Sequence, residues 1–373
     1  MREAFTLLYP EKIIFGRDSL KQLRQHLPKN PKILLVTGKH VMQSGKSEEI
    51  MNMLSELDII EFTGIPSEPP LSSVDEIAGI GRSEEVTAVI AVGGGSAIDA
   101  AKAAAMLIPK EGGCHEYFYS RRKIESKGLF FAAIPTTAGT GAEITANSVL
   151  TDPETKIKKS IRSPFMVPDL ALVDPLLTLD APRGLTAASG LDALIQAVES
   201  FTSADANAVS RALAEDAAGI IFHSLPKAHA NGGDIEARTE MARGSLLSAM
   251  AFSQSGLGAV HGLAHPIGAL LGIPHGVVCA ILLVPVLEWN MPVSADDYSR
   301  LSSKCGLDGA ADFIRGAGEL CSSLNIPSGL SSFGLKEEHF PFIIKNCRSR
   351  SMDCNPREMP DSGIVKLLGQ MLS

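Results

Sequence analysis

Basic residues are the minority charge in this chain: 34 Lys and Arg stand against 42 Asp and Glu, a formal net charge of −8 over 373 residues. No basic face is available to neutralise a phosphate backbone or an anionic lipid surface, so nucleic acid and membrane are excluded as expected partners. Long apolar runs are also missing. Stretches such as Val277 to Val286 are too short to span a bilayer. The opening MREAFTLLYPEKIIF has neither a basic segment leading into an apolar one nor a small-residue cleavage site. The six cysteines, at positions 114, 279, 305, 321, 347 and 354, form no CxxC pair, which argues for reduced thiols and against a zinc knuckle or disulfide framework. There is no internal repeat and no low-complexity tract. Together these absences lead to the expectation of a soluble, cytoplasmic protein.

What is present is enough apolar material, 45% of the chain, for two domains with separate cores. The character of the sequence changes near residue 180. Before it, short β-branched runs (IIF at 13–15, KILLVTG at 32–38, AVIAVGGGS at 88–96, FFAAIPTT at 130–137, LALVD at 170–174) alternate with helical patterns, as in a parallel sheet covered on both faces. After Pro182, alanine-rich segments with apolar residues at helical spacing dominate, as in LTAASGLDALIQAVESF. The expectation is an α/β domain over 1–180 and an all-helical domain over 181–373, with a hinge around Asp174 to Gly184.

Two loops carry nucleotide chemistry. In AVIAVGGGSAIDAAKAAAM a buried strand ends at Val92, three glycines allow close backbone approach, and Ser96 followed by Asp99 has capping-box spacing. A helix N-terminus of this kind offers unpaired N–H groups and a positive dipole end to a pyrophosphate, although a tight turn without ligand has the same appearance. The segment matches neither GxGxxG nor GxxxxGK[ST]. In IPTTAGTGAEIT the hydroxyls of Thr136, Thr137 and Thr140 and two glycines follow another apolar strand, which suits a phosphate or ribose, or simply a turn before a helix.

HGLAHPIGALLGIPHG places His261, His265 and His275, three of nine histidines, within sixteen residues. His261 and His265 are four apart and share a helical face, and the GIPHG turn can return His275 toward them. Burying several imidazoles needs specific partners. Upstream, Asp192 lies near the start of an apolar helix with Gln196 one turn on, facing the same way.

GGGSAIDAAKA, IPTTAGTGAE, PDLALVDP, TAASGLDAL and VHGLAHPIGALLGIPHGVVCAILLVPVLEWN resemble, in this order and over nearly the whole chain, the iron-containing (group III) alcohol dehydrogenase family. The resemblance implies an α/β dinucleotide-binding domain followed by an all-α domain (the dehydroquinate synthase-like arrangement) and one divalent metal. It places Asp192, Gln196, His261 and His275 at the metal-ligand positions and His265 beside the nicotinamide, where it relays a proton, a role that the cofactor ribose can share. Gln196 stands where the family has a histidine. An amide oxygen is the weaker donor, so an altered metal preference, a three-ligand site completed by water and a loss of metal dependence all stay open. Fe2+ is the first expectation for the ion and Zn2+ the second. The implied reaction is NAD(P)-linked interconversion of a small primary alcohol and its aldehyde, with the metal polarising the carbonyl and the nicotinamide supplying hydride. The alternatives are glycerol dehydrogenase-like or maleylacetate reductase-like chemistry, or a non-catalytic nucleotide-binding protein with a degenerate metal site. Expected cofactor contacts are Gly38, Lys39, Gly93, Gly94, Gly95, Ser96, Asp99, Thr136, Thr137, Thr140 and Lys158. Gly38 stands where an acidic residue would repel a 2′-phosphate, so the cofactor reading leans to NADP. A homodimer or higher homo-oligomer is expected.

Overall fold

The structure, a computed structural model, describes residues 2–372. It divides into two compact units, one spanning Leu8–Ala181 and the other Pro182–Ser373 together with Met1–Leu7. The N-terminal segment therefore departs from the expected 1–180 domain. Arg2 donates its backbone amide to Ala206 O at 2.8 Å and its guanidinium pairs with Asp205, contacts that tie the segment to the helical unit.

The first unit is built on a six-stranded sheet, all of whose pairings are parallel, from β1 (Lys12–Phe15), β2 (Lys32–Gly38), β3 (Asp58–Ile65), β4 (Ala88–Gly93), β5 (Phe130–Pro135) and β8 (Leu170–Val173), in the order β1-β8-β5-β4-β2-β3. Alternation of side chains across each strand sends Leu34, Val36, Val89, Ala91, Phe131 and Ala133 into one apolar cluster. Ile33, Leu35, Ile90, Val92, Ala132 and Ile134 enter another. Because both faces are covered, the central strands read as unbroken apolar runs, which is why they were legible in the sequence. Edge strand β3, DIIEFTGI, mixes polar and apolar residues and was not. Nor was the antiparallel pair β6 (Asn147–Asp152) and β7 (Ile157–Arg162), whose second strand, IKKSIR, carries two lysines.

The second unit is helical, and among the described residues no strand follows Val173. Its centre is the helix Arg183–Thr202, in which every residue from Gly190 to Thr202 is buried. A helix surrounded on all sides loses the need for a polar face. It packs against helices Ala208–Ala230, Ile235–Ser255 and His275–Lys304. The last of these is long and apolar enough by composition to cross a membrane, longer than the Val277–Val286 run suggested, and half of its apolar window is buried within the protein.

Lys102, on the helix Gly95–Leu107, is fully buried in the first unit. Its ammonium donates to Ala142 O at 2.6 Å, Thr145 O at 2.8 Å and Asn147 O at 2.8 Å, pinning the threonine-rich loop from beneath. Burial pulls the Lys102 pKa down to about 8 and raises Asp99 to about 6 and Glu143 to about 7, each shift offset in part by the opposite charges nearby. Lys102→Met removes the ammonium from two buried carbonyls and one partly buried carbonyl, so a stability loss of about 3 kcal/mol or more is expected by denaturant unfolding, and a loss below about 1 kcal/mol would contradict this role. Glu143 supplies a pH test. Its folded-state pKa lies above its ordinary value, so its contribution to stability is fully present below pH 4.5 and is lost as pH rises through about 7. Glu143→Gln cannot ionise. Its melting temperature relative to the parent should therefore rise between about pH 5 and pH 8, whereas a constant difference would contradict the assignment.

Candidate metal centre and nucleotide loop

In the helical unit, the metal-type residues gather where three helix segments approach. Asp192, Gln196 and Glu199 lie at i, i+4 and i+7 on Arg183–Thr202, a polar stripe on one face of a buried helix. Opposite them, the helix Ala259–Leu271 begins. Glu199 Oε1 accepts the Val260 amide at 2.7 Å and Asn355 Oδ1 accepts the Ala259 amide at 3.1 Å, satisfying two of the N–H groups that a helix leaves open at its start. That helix ends at Gly272, whose left-handed backbone (φ 67°) reverses the chain, and the next helix starts at once with His275. Gly276 lets that N-terminus approach: a Cβ there would lie 2.3 Å from Ala188 O. Gly258 has the same function beside Glu199, whose Oε1 would lie 2.7 Å from an added Cβ.

The result is a tight donor cluster. His261 Nδ1 donates to Glu199 Oε2 at 2.7 Å, leaving Nε2 in the neutral tautomer as a lone-pair donor 3.2 Å from Asp192 Oδ1. His275 Nε2 is 3.9 Å from the same carboxylate oxygen and 3.6 Å from Cys279 Sγ. Donor atoms of Asp192, His261, His275 and Cys279 all lie within 4.8 Å of one another. Two lone-pair atoms 3.2 Å apart need positive charge between them. As protein groups alone they take it from a proton: burial would depress the His261 pKa, but Glu199 and Asp192 outweigh it and hold the group at about 10. A divalent cation fits the same place, because binding requires neutral imidazole and ionised carboxylate. Gln196 Nε2 donates to Asp192 Oδ2 at 3.1 Å, while its Oε1 is buried without a hydrogen-bond partner among the described residues. A buried acceptor in this condition also suits a nearby cation.

His265 is half-buried and stacks on His275, with ring centroids 5.1 Å apart and planes at 12°. The GIPHG reversal thus brings all three histidines together, the His261 and His275 centroids lying 5.4 Å apart. Sequence reasoning missed Glu199 and Cys279. The signal for Glu199 was its place seven residues after Asp192 on the same face, and for Cys279 its place one turn after His275.

In the α/β unit, most of the expected cofactor residues converge at the C-terminal ends of β2, β4 and β5. An added Cβ on Gly93 would lie 3.3 Å from Gly38 N, on Gly94 3.6 Å from Thr137 Oγ1, and on Gly95 2.7 Å from Thr140 Oγ1. Thr136 donates its amide to Gly93 O at 2.9 Å. Lys158 pairs with Glu68 at 2.7 Å, and the Glu68 amide donates to Ser96 Oγ at 3.3 Å. Lys39 is exposed at the start of the helix Lys39–Gln43. The expected capping box is not formed. The helix starts at Gly95 with Gly94 as its cap, and Asp99 lies too far in to close it. Side-chain-free residues let the helix begin directly after the strand, and Asp99 Oδ2 instead accepts the Val149 amide of β6 at 3.1 Å. This arrangement leaves bare backbone at a helix N-terminus, an anion-binding feature.

Two family models cover the chain: iron-containing alcohol dehydrogenase matches residues 10–175, and the C-terminal model of the Fe-containing alcohol dehydrogenase family matches residues 186–372. The chain is 33% identical to 1,3-propanediol dehydrogenase of Klebsiella pneumoniae, with 98% of each covered. It is 31% identical to the NAD-dependent methanol dehydrogenase of Bacillus methanolicus, with 97% of this chain and 98% of the relative covered. A crystal structure of 1,3-propanediol oxidoreductase superposes with a TM-score of 0.93 at 32% identity, covering 99% of this chain and all of the other. With both halves matched in order and whole-length likeness to such relatives, the chain belongs to the iron-containing alcohol dehydrogenase family and is an NAD(P)-dependent alcohol dehydrogenase.

Proposed function

We propose that this enzyme interconverts a small primary alcohol and its aldehyde, with Asp192, His261 and His275 holding one divalent ion. The observation that carries the reading is the convergence of Asp192 Oδ1 with both imidazole Nε2 atoms, at 3.2 and 3.9 Å, in a buried setting. When bound, the ion supplies Lewis acidity toward the substrate oxygen. The chain's residues do the rest. Glu199 fixes the His261 tautomer through Nδ1 and orients its ring. Gln196 holds Asp192 through Oδ2, leaving Oδ1 toward the histidines. His265, half-buried against His275, is the proposed proton carrier between substrate and solvent. Leu263, Pro266 and Ile267 are buried and Phe252 is half-buried nearby in sequence, a composition that suits an aliphatic substrate better than a sugar. The glycerol dehydrogenase-like, maleylacetate reductase-like and non-catalytic alternatives are not favoured by the alcohol dehydrogenase relatives.

For the cofactor, we propose that Gly38, Lys39, Gly93, Gly94, Gly95, Ser96, Thr136, Thr137, Thr140 and Lys158 line the nucleotide, with Asp99 supporting the loop from behind. NADP is the proposed preference within NAD(P), and Fe2+ or Zn2+ the ion. The exposed Phe5, Leu7 and Leu8 support a homo-oligomer, and six cysteines without paired spacing support a cytoplasmic setting.

His261→Ala or His275→Ala is expected to abolish metal retention, read by elemental analysis of full-length protein, and aldehyde-dependent NAD(P)H oxidation. Gln196→His is expected to tighten metal binding by about tenfold. Unchanged affinity in that variant would mean that position 196 does not face the ion. Gly38 has φ −75°, a conformation open to any residue, and an added Cβ would meet only Ala97 at 3.8 Å. Gly38→Asp should therefore fold normally and shift kcat/KM toward NADH by about 1–2 kcal/mol, the scale of one charge-assisted contact. In the parent enzyme NADPH is expected to serve at least as well as NADH at fixed ionic strength, and a preference for NADH of about tenfold or more would overturn the assignment.

A further inference from the structure

We propose that Cys279 is a ligand of this metal centre: its thiolate joins Asp192, His261 and His275 at a site that expands by one ligand to admit the substrate oxygen, and it biases the site toward soft or borderline ions, Zn2+ over Fe2+. The inference rests on the three-residue centre proposed above and adds the donor that the sequence pattern did not show.

Three observations carry it. His275 and Cys279 are one helical turn apart on His275–Lys304, so their side chains stack along one face, with Sγ 3.6 Å from Nε2. Around a tetrahedral ion of zinc's bond lengths, a nitrogen and a sulfur ligand stand about 3.6 Å apart and an oxygen and a nitrogen about 3.3 Å apart. The observed Cys279–His275 separation equals the first. The Asp192–His261 and Asp192–His275 separations, 3.2 and 3.9 Å, bracket the second. Third, Gln196, the residue at the remaining family ligand position, donates its amide nitrogen to Asp192 Oδ2 at 3.1 Å, which holds that carboxylate's Oδ1 toward the His275–Cys279 pair, while its weaker amide oxygen stays open toward the same place. Cys279 itself is fully buried. Its ionisation is balanced by the cation, and the thiol proton passes to solvent as the ion enters. Thiolate is the softest donor in the set, which moves selectivity away from Fe2+.

The test uses full-length protein loaded with Zn2+ alone, with Co2+ alone, and with equimolar Zn2+ and Fe2+ under anaerobic conditions. X-ray absorption at the zinc edge is expected to show one sulfur among nitrogen and oxygen neighbours, and the Co2+ form a sulfur-to-cobalt charge-transfer band. Both signals should vanish in Cys279→Ser and persist in Cys321→Ser, a control at another buried thiol packed against the same helix at Ala280 O. The Zn2+:Fe2+ occupancy ratio should fall by about tenfold or more in Cys279→Ser. One zinc per chain with only nitrogen and oxygen neighbours in the parent protein overturns the Cys279 assignment and leaves the Asp192–His261–His275 centre standing. Failure of the parent protein to retain any of the three ions overturns both.

Discussion

A carboxylate inside an alanine-lined helix bundle cannot stay there without partners, and Glu199 is the point on which the helical unit's chemistry depends. Its side chain accepts the Val260 amide with one oxygen and His261 Nδ1 with the other. The first bond satisfies the start of the helix that carries His261 and His265, and the second sets which nitrogen of His261 faces Asp192. Desolvating a charge costs several kcal/mol, and these two bonds together with the helix N-terminal dipole are what offset it. The same contact therefore serves folding and site construction. A residue that anchors helix packing is also the one that prepares an imidazole for a cation.

The α/β unit solves a comparable problem with the opposite charge. Lys102 is buried beneath the threonine-rich loop and holds two of its carbonyls and the first carbonyl of β6, so a loop with little apolar content of its own is kept in one shape. The Gly93–Gly95 turn and Thr136–Thr140 are thereby set against each other at the strand ends, where bare backbone at a helix start meets hydroxyl donors. In both units a buried Lys or Glu side chain organises backbone polar atoms, and the functional residues are neighbours of that group in space.

The sequence made much of this legible. Central strands buried on both faces show as apolar runs, helices in a bundle as alanine-rich periodicity, and glycine- and threonine-rich loops announce where side chains give way to backbone. Asp192, Gln196, His261, His265 and His275 stood out because polar residues on apolar helical faces are conspicuous. What stayed hidden has physical reasons. Strand β3 and the β6–β7 pair are half exposed, so their composition is mixed. The N-terminal segment joins the helical unit through Arg2, a contact between residues far apart in the chain. Ser96 and Asp99 had capping-box spacing, but glycine allowed the helix to be capped two residues earlier, at Gly94, and β6 offered Asp99 a different amide.

Spacing along a single helix is a local property, and the sequence by itself determined which residues share a face: Asp192 with Gln196, His261 with His265. It also determined the order of the two units and the chemical kinds of donor available. Which donors meet was decided only by tertiary structure, because that depends on where separate helices cross. The absence of a side chain at Gly276 lets the His275 helix approach Ala188 on the helix that carries Asp192, and this crossing brings His275 and, one turn on, Cys279 to the Asp192 carboxylate.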